Sequence, residues 1–145
     1  MRKAEIGRTA FRGRNGKVKH TELILATLRR EGAPLGAYDL QARLSEVQFL
    51  APATIYRALE QLIADRLVHK IASLNAFIAC RHRNHHGRAA FAICDQCGEV
   101  REISNPDIES VVETCSRQSG FVVSDATIEL HGFCVNCNAH VLAAE

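Results

Sequence analysis

The chain has 145 residues, 47% of them hydrophobic and 23% charged, with a formal net charge of +2. That length suits one ordinary domain or two small ones, and the composition belongs to a folded chain rather than a disordered one. The sequence has no apolar run near the roughly 20 residues of a membrane helix and no apolar centre in its first 20 residues, so the expectation is a cytoplasmic protein without a membrane partner.

The charge is concentrated at the start. Residues 1–20 hold Arg2, Lys3, Arg8, Arg12, Arg14, Lys17 and Lys19 against Glu5 alone, an arm that suits a polyanion such as nucleic acid. The ordered part begins with "HTELILATLRREG". Leu23, Ile24 and Leu28 fall at helical spacing, and Gly32 can stop the helix. Pro34 opens a connector, and "AYDLQARL" reads as a second helix with Ala37, Leu40 and Leu44 on one side. "APATIYRALEQLIADRL" reads as a third. Pro52 is tolerated in its first turn, and Ile55, Leu59, Leu62 and Ile63 form the stripe to be buried. Tyr56, Arg57, Glu60 and Gln61 lie outside that stripe. The period then changes to that of two short strands, "LVHKIAS" and "NAFIAC", with a turn between them. Three helices and a hairpin in this order predict a winged helix-turn-helix. In that architecture the third helix enters the major groove and the hairpin lies beside the DNA backbone.

"RHRNHHGR", residues 81–88, reads as a polar hinge. Beyond it "AAFAIC" and "EVREI" read as strands. A helix follows, with Asn105 as cap, Pro106 in its first turn and Gly120 past its end. Ile108, Val111, Val112 and Cys115 give that helix one apolar face, which predicts a buried, inert Cys115. "FVVSDATIELHGFC" supplies a further strand. The expected fold is α+β: a basic arm and winged-helix domain over 1–80, a hinge over 81–88, and a C-terminal α/β unit over 89–145. A core of that size is marginal alone and needs a staple or a partner.

Cys94 and Cys97 form one Cys-x-x-Cys turn, and Cys134 and Cys137 form another. Two such turns complete a closed, tetrahedral all-thiolate site that suits zinc. A redox dithiol pair and an iron–sulfur cluster are the competing readings. Such a site couples folding to metal and performs no function by itself. A second constellation is "CRHRNHH", one thiol and three imidazoles across the hinge, with His69 in the wing and Glu102 after the first cysteine pair. A mixed sulfur, nitrogen and oxygen set suits zinc and disfavours a hard-oxygen cation.

Together "GAYDLQARL", "PATIYRALEQLIADRLVHKI", "AFIAC", "ICDQCGEV" and "IELHGFCVNC" resemble the ferric uptake regulator family, and within it the zinc-responsive branch, over about residues 18–140. The resemblance implies a homodimer that binds a near-palindromic operator in double-stranded DNA and about two Zn²⁺ per subunit. It assigns Cys94, Cys97, Cys134 and Cys137 to the structural zinc, and His69, Cys80, His86 and Glu102 to a regulatory zinc. The family places a hinge histidine three residues before the first cysteine pair, where this chain has Phe91, so His85 is the alternative to His86. A further family site maps to His82, His85 and His131. On the DNA side the resemblance implies reading by Thr54, Tyr56 and Arg57 of the third helix, with Tyr38 close to the bases or packed in the core. Arg12, Arg14, Lys17, Lys19, Arg43 and Lys70 would add salt-dependent backbone affinity.

The expected mechanism is orientational. Ligands from the wing, the hinge and the second unit would fix the angle of the reading head when zinc binds, and the dimer would repress zinc-uptake genes. The alternatives are an iron- or peroxide-sensing regulator of the same family and, from another class, a zinc hydrolase. A hydrolase needs an open zinc position beside a general base, and no H-E-x-x-H pattern occurs in the sequence.

Overall fold

The structure, a computed structural model, describes residues 19–82 and 88–142. The basic residues before Lys19, and the hinge histidines His85 and His86, lie outside the described residues.

Helices α1 (His20–Glu31), α2 (Ala37–Leu44) and α3 (Pro52–Ala64) form the first half. Each follows from its apolar spacing. Ile24 and Leu28 of α1, Leu40 and Leu44 of α2, and Ile55, Leu59 and Leu62 of α3 are buried in one cluster. Gly32 stops α1 in the left-handed region, φ 63°, where it donates its N–H to Leu28 O, and Pro52 opens α3. Strands β1 (Val68–Ile71) and β2 (Ala76–Ala79) pair antiparallel, closed by a 3₁₀ turn over Ala72–Leu74.

The hairpin is packed on both faces. Val68, Phe77 and Ala79 complete the helical core. Ile71 and Ile78 instead join a second cluster with Ala89, Phe91 and Ile93, against which Val100 packs. Alternation along the strands sends these two sets to opposite sides. The wing is therefore a wall shared between the halves.

The second half is a three-stranded sheet in the order β4-β3-β5, from β3 (Arg88–Cys94), β4 (Val100–Ile103) and β5 (Ala126–Gly132). β3 runs antiparallel to β4 and parallel to β5. The parallel pair needs a long crossover, which α4 (Pro106–Ser119) provides. Asn105 caps α4 by accepting the Asp107 N–H at 2.9 Å, as its sequence position predicts. A short helix α5 (Val135–Leu142), not foreseen from the sequence, follows directly on Cys134. Cys115 is exposed, contrary to expectation, because α4 buries none of its residues within the chain. Among the described residues, no helix is long and apolar enough to cross a membrane.

Candidate metal centres and reading helix

Cys94 ends β3 and Cys97 lies in the turn after it, while Cys134 directly precedes α5 and Cys137 lies in its first turn. Their four sulfurs lie within 4.8 Å of one another. The Cys97 and Cys134 sulfurs are 3.7 Å apart. That is far beyond a disulfide bond and close to the ~3.8 Å edge of a tetrahedron with metal–sulfur bonds of about 2.3 Å. Backbone amides serve the sulfurs as well. The Cys134 N–H reaches Cys94 Sγ at 3.4 Å. This bond foremost, then one from the Cys97 backbone, brings the Cys94 thiol down to about 6, so it is largely thiolate at neutral pH. The Cys97 and Cys137 thiols respond in the opposite sense. The Cys137 thiol is pushed up to about 12, chiefly by hydrogen bonding with Cys134. Four clustered thiols resist a second negative charge until a cation offsets it, which is the electrostatic demand of a closed zinc–thiolate site. The donor set fits zinc.

A second cluster forms where the two halves meet. His69 of β1, Cys80 just after β2 and Glu102 of β4 bring one nitrogen, one sulfur and one oxygen within 4.8 Å of one another. Burial raises the Cys80 pKa first of all, and the nearby Glu102 raises it further. The thiol holds its proton, with Sγ donating to His82 O at 2.8 Å. A metal ion there must displace that proton, so affinity rises with pH. The His69 ring stands edge-on to Phe91, centroids 5.5 Å apart. Nitrogen, sulfur and oxygen donors together suit zinc as well. Among the described residues, these two groups are the sets of three or more His, Cys, Asp or Glu side chains close enough to share an ion. Neither includes His82 or His131. His131 instead meets Asp95 at 3.2 Å and Glu129 at 3.4 Å.

Two residues that sequence reasoning passed over tie this region together. Arg81 donates its backbone N–H to Glu102 at 3.1 Å, and its guanidinium donates to the Gly32 carbonyl at 3.1 Å. The hinge start is thus attached to both the end of α1 and the second sheet. Glu129 accepts hydrogen bonds from the hairpin turn. Neither role has a sequence signal, because each depends on residues far apart in the chain.

The outer side of α3 carries the predicted reading residues. Tyr56 and Arg57 are exposed and Thr54 is half-buried. Tyr38 on α2 is 72% exposed, which rules out its core-packing reading. Thr54, Arg57 and Gln61 line a shallow groove with Lys19, His20 and Thr21. Their spacing of three and four puts them on one helical ridge, the signal that would have added Gln61. Arg43 is already engaged by Glu31 at 3.2 Å, and Lys70 leans over the Phe77 ring at 5.9 Å.

Residues 17–131 match the model of the ferric uptake regulator family. The chain is 35% identical over 117 residues to the zinc uptake regulation protein of Escherichia coli (strain K12), covering 79% of this chain and 68% of that protein. It is 30% identical over 98 residues to the ferric uptake regulation protein of Neisseria meningitidis serogroup B, covering 66% of each. Among solved structures, it resembles holo XcZur with a TM-score of 0.73 and 38% identity, over 82% of this chain and 84% of that one. It also resembles a zinc uptake regulator complexed with zinc and DNA, with a TM-score of 0.74 and 32% identity, over 90% and 88%.

Proposed function

The chain belongs to the ferric uptake regulator family, and from that premise we propose that it is a zinc-responsive, sequence-specific DNA-binding repressor of zinc-uptake genes. The observation that carries this reading is the convergence of His69, Cys80 and Glu102, donors from both halves of the molecule. As a member of a family of regulators it is not an enzyme, and the hydrolase alternative is set aside. The iron- or peroxide-sensing alternative fits less well, because a thiol in the mixed cluster favours zinc over ferrous iron.

Two zinc ions per subunit are assigned, one to Cys94, Cys97, Cys134 and Cys137, the other to His69, Cys80 and Glu102 with a hinge histidine, His86 or His85. Bound zinc supplies a fixed cross-link among its donors. The first donor set ties β3 to the start of α5. In the second, His69 and Cys80 move with the hairpin and Glu102 with β4, so the three meet only when hairpin and sheet are docked. DNA selects the same docked arrangement in both copies of a dimer. The two ligands therefore strengthen each other by one factor, typically about 1–3 kcal/mol.

The domain limits follow: a reading head over 1–80, a hinge over 81–88 and a dimerisation unit over 89–145. Homodimerisation is supported by apolar side chains that this chain leaves exposed on the second half, including Val111, Phe121, Val122 and Leu130. A two-fold axis calls for a near-palindromic operator. Thr54, Tyr56 and Arg57 read it from α3, with Tyr38 beside them. Arg57 can donate two hydrogen bonds to guanine, and Tyr56 can meet a thymine methyl or a phosphate. Four cysteines gathered as a metal-ligand set rather than a disulfide framework suit a reducing, cytoplasmic location.

The test combines zinc analysis of the purified protein with a DNA-shift titration across buffered free zinc. The reading expects about two zinc per subunit and duplex binding that follows free zinc. Equal duplex affinity in zinc and in chelator would overturn it.

A further inference from the structure

The hairpin meets the sheet along one row of side chains. Glu102, Phe91 and Glu129 stand directly opposite one another across β4, β3 and β5. They therefore share one face. Neighbouring strands lie about 4.8 Å apart, which sets the two glutamates roughly 10 Å from each other. Three residues of strand also span roughly 10 Å, so the hairpin and the row match in length. The hairpin's open end carries His69 and Cys80 to Glu102. Its closed end is the turn Ala72–Leu74, and this end meets Glu129. One carboxylate oxygen accepts the Ala72 N–H at 2.7 Å, and the two oxygens lie 3.4 and 3.3 Å from the Ser73 nitrogen. These amides open a 3₁₀ turn and have no partner inside it. The Glu129 side chain is only 15% exposed.

An attachment at one end leaves a rigid hairpin free to pivot about that point. A second attachment about 10 Å away removes the rotation. The apolar seam of Ile71, Ile78, Phe91 and Ile93 lies between the two ends but has no directional preference of its own. We propose that Glu129 is a metal-independent latch on the wing, a positioning residue that sets the angle of the reading head from the end opposite the mixed donor cluster. The proposal rests on the reading that this angle governs DNA binding. The latch acts without an ion, so it biases the chain toward the docked arrangement before zinc arrives and thereby sets the zinc level at which the switch responds. Hydrogen bonding by Ser73 foremost holds the Glu129 carboxyl below the usual carboxylate range, so it is ionised at neutral pH.

The test uses the full chain with Glu129→Ala and Glu129→Gln. The probe is a duplex selected from a randomised pool by the wild-type protein at saturating zinc. In Glu129→Ala the Ala72 and Ser73 amides should exchange with solvent about 10-fold faster or more, as a locally opened segment does. Duplex affinity at saturating zinc should fall roughly 5-fold or more, and the zinc midpoint should move upward. Glu129→Gln, whose amide oxygen still accepts one hydrogen bond, should fall between. Zinc content and dimer mass should stay at wild-type values, which separates loss of the latch from misfolding. Unchanged protection of Ala72 and Ser73 would overturn the proposal. So would lost protection with unchanged duplex affinity and zinc midpoint. Amide exchange is read without DNA, so a wild-type chain that bound no duplex in response to zinc would sink the functional reading while the latch was still judged on those two amides.

Discussion

The helices of the first half bury Ile24, Leu28, Leu40, Leu44, Ile55 and Leu59 to 1% exposure or less, whereas α4 in the second half buries nothing and leaves Val111 59% exposed, with Val122 beyond it 91% exposed. The first half closes its own core from three helices and one face of the hairpin. The second half covers one face of its sheet with that same hairpin and leaves the apolar side of α4 open. On the proposed reading its integrity depends on contributions from outside the usual core: a four-thiol cluster at one end and a second copy of the chain. The lesson is that stability and regulation are divided unevenly. The first half closes a core of its own, whereas the four-thiol cluster belongs to the second half alone and the mixed cluster lies where the two meet.

The largest effect expected from this contrast is at Cys94. Replacing Cys94 by Ser should remove the cluster zinc, unfold the second half and abolish dimerisation, while the far-ultraviolet signal of α1 to α3 survives. Light scattering and zinc content would check it. A zinc-poor protein that stayed dimeric would break the comparison. Next in size is Leu59→Ala, which opens a cavity in the head alone. It should cost about 2–5 kcal/mol in denaturant unfolding of the head and leave the dimer and the four-thiol zinc in place.

Much of this division is legible in the sequence. The 3.6-residue period marks the buried sides of α1 to α3. Asn105, Pro106 and Gly120 bracket α4, and two Cys-x-x-Cys turns announce their cluster. Periodicity also gives the apolar side of α4, including Cys115, but it tells which side is apolar and not what covers it. The exposed Cys115 is the result. Helix α5 is only eight residues long and begins on the second cysteine pair, so its few apolar residues read as part of a metal turn. The roles of Arg81 and Glu129 are silent in sequence for a different reason. Glu129 reaches Ala72 only because β5 pairs with β3 in one register, and a shift of one residue would turn it to the other face.

Smaller effects should separate switching from folding. Cys80→Ser removes the sulfur donor at the seam and nothing from either core. At a fixed buffered zinc level duplex affinity should fall roughly 5- to 150-fold, with dimer mass and the Cys94 cluster unchanged. Normal binding by this variant across the zinc titration would detach the seam cluster from regulation. Arg57→Ala should cost about 1–3 kcal/mol of duplex affinity and relax base choice at one position in each half-site. Selection from a randomised pool reads both, and unchanged affinity would take Arg57 off the reading surface.

The smallest expected effect is at Arg43, and its value is diagnostic. A free surface arginine at a phosphate releases a counterion, and its removal lowers the salt slope of binding by about one. Arg43 is not free in this sense, because its Nε lies 3.2 Å from Glu31 with both side chains partly exposed. An exposed pair of this kind contributes about 0–1 kcal/mol to stability. Arg43→Ala should therefore move the unfolding midpoint little and change the salt slope by well under one, as measured by duplex affinity across a salt series. A full unit of slope would mean that Arg43 leaves Glu31 for the phosphate backbone when DNA binds. That would move this charge from the fold of the head to its reading surface, and it would show that the head, for all its closed core, still rearranges its periphery on the duplex.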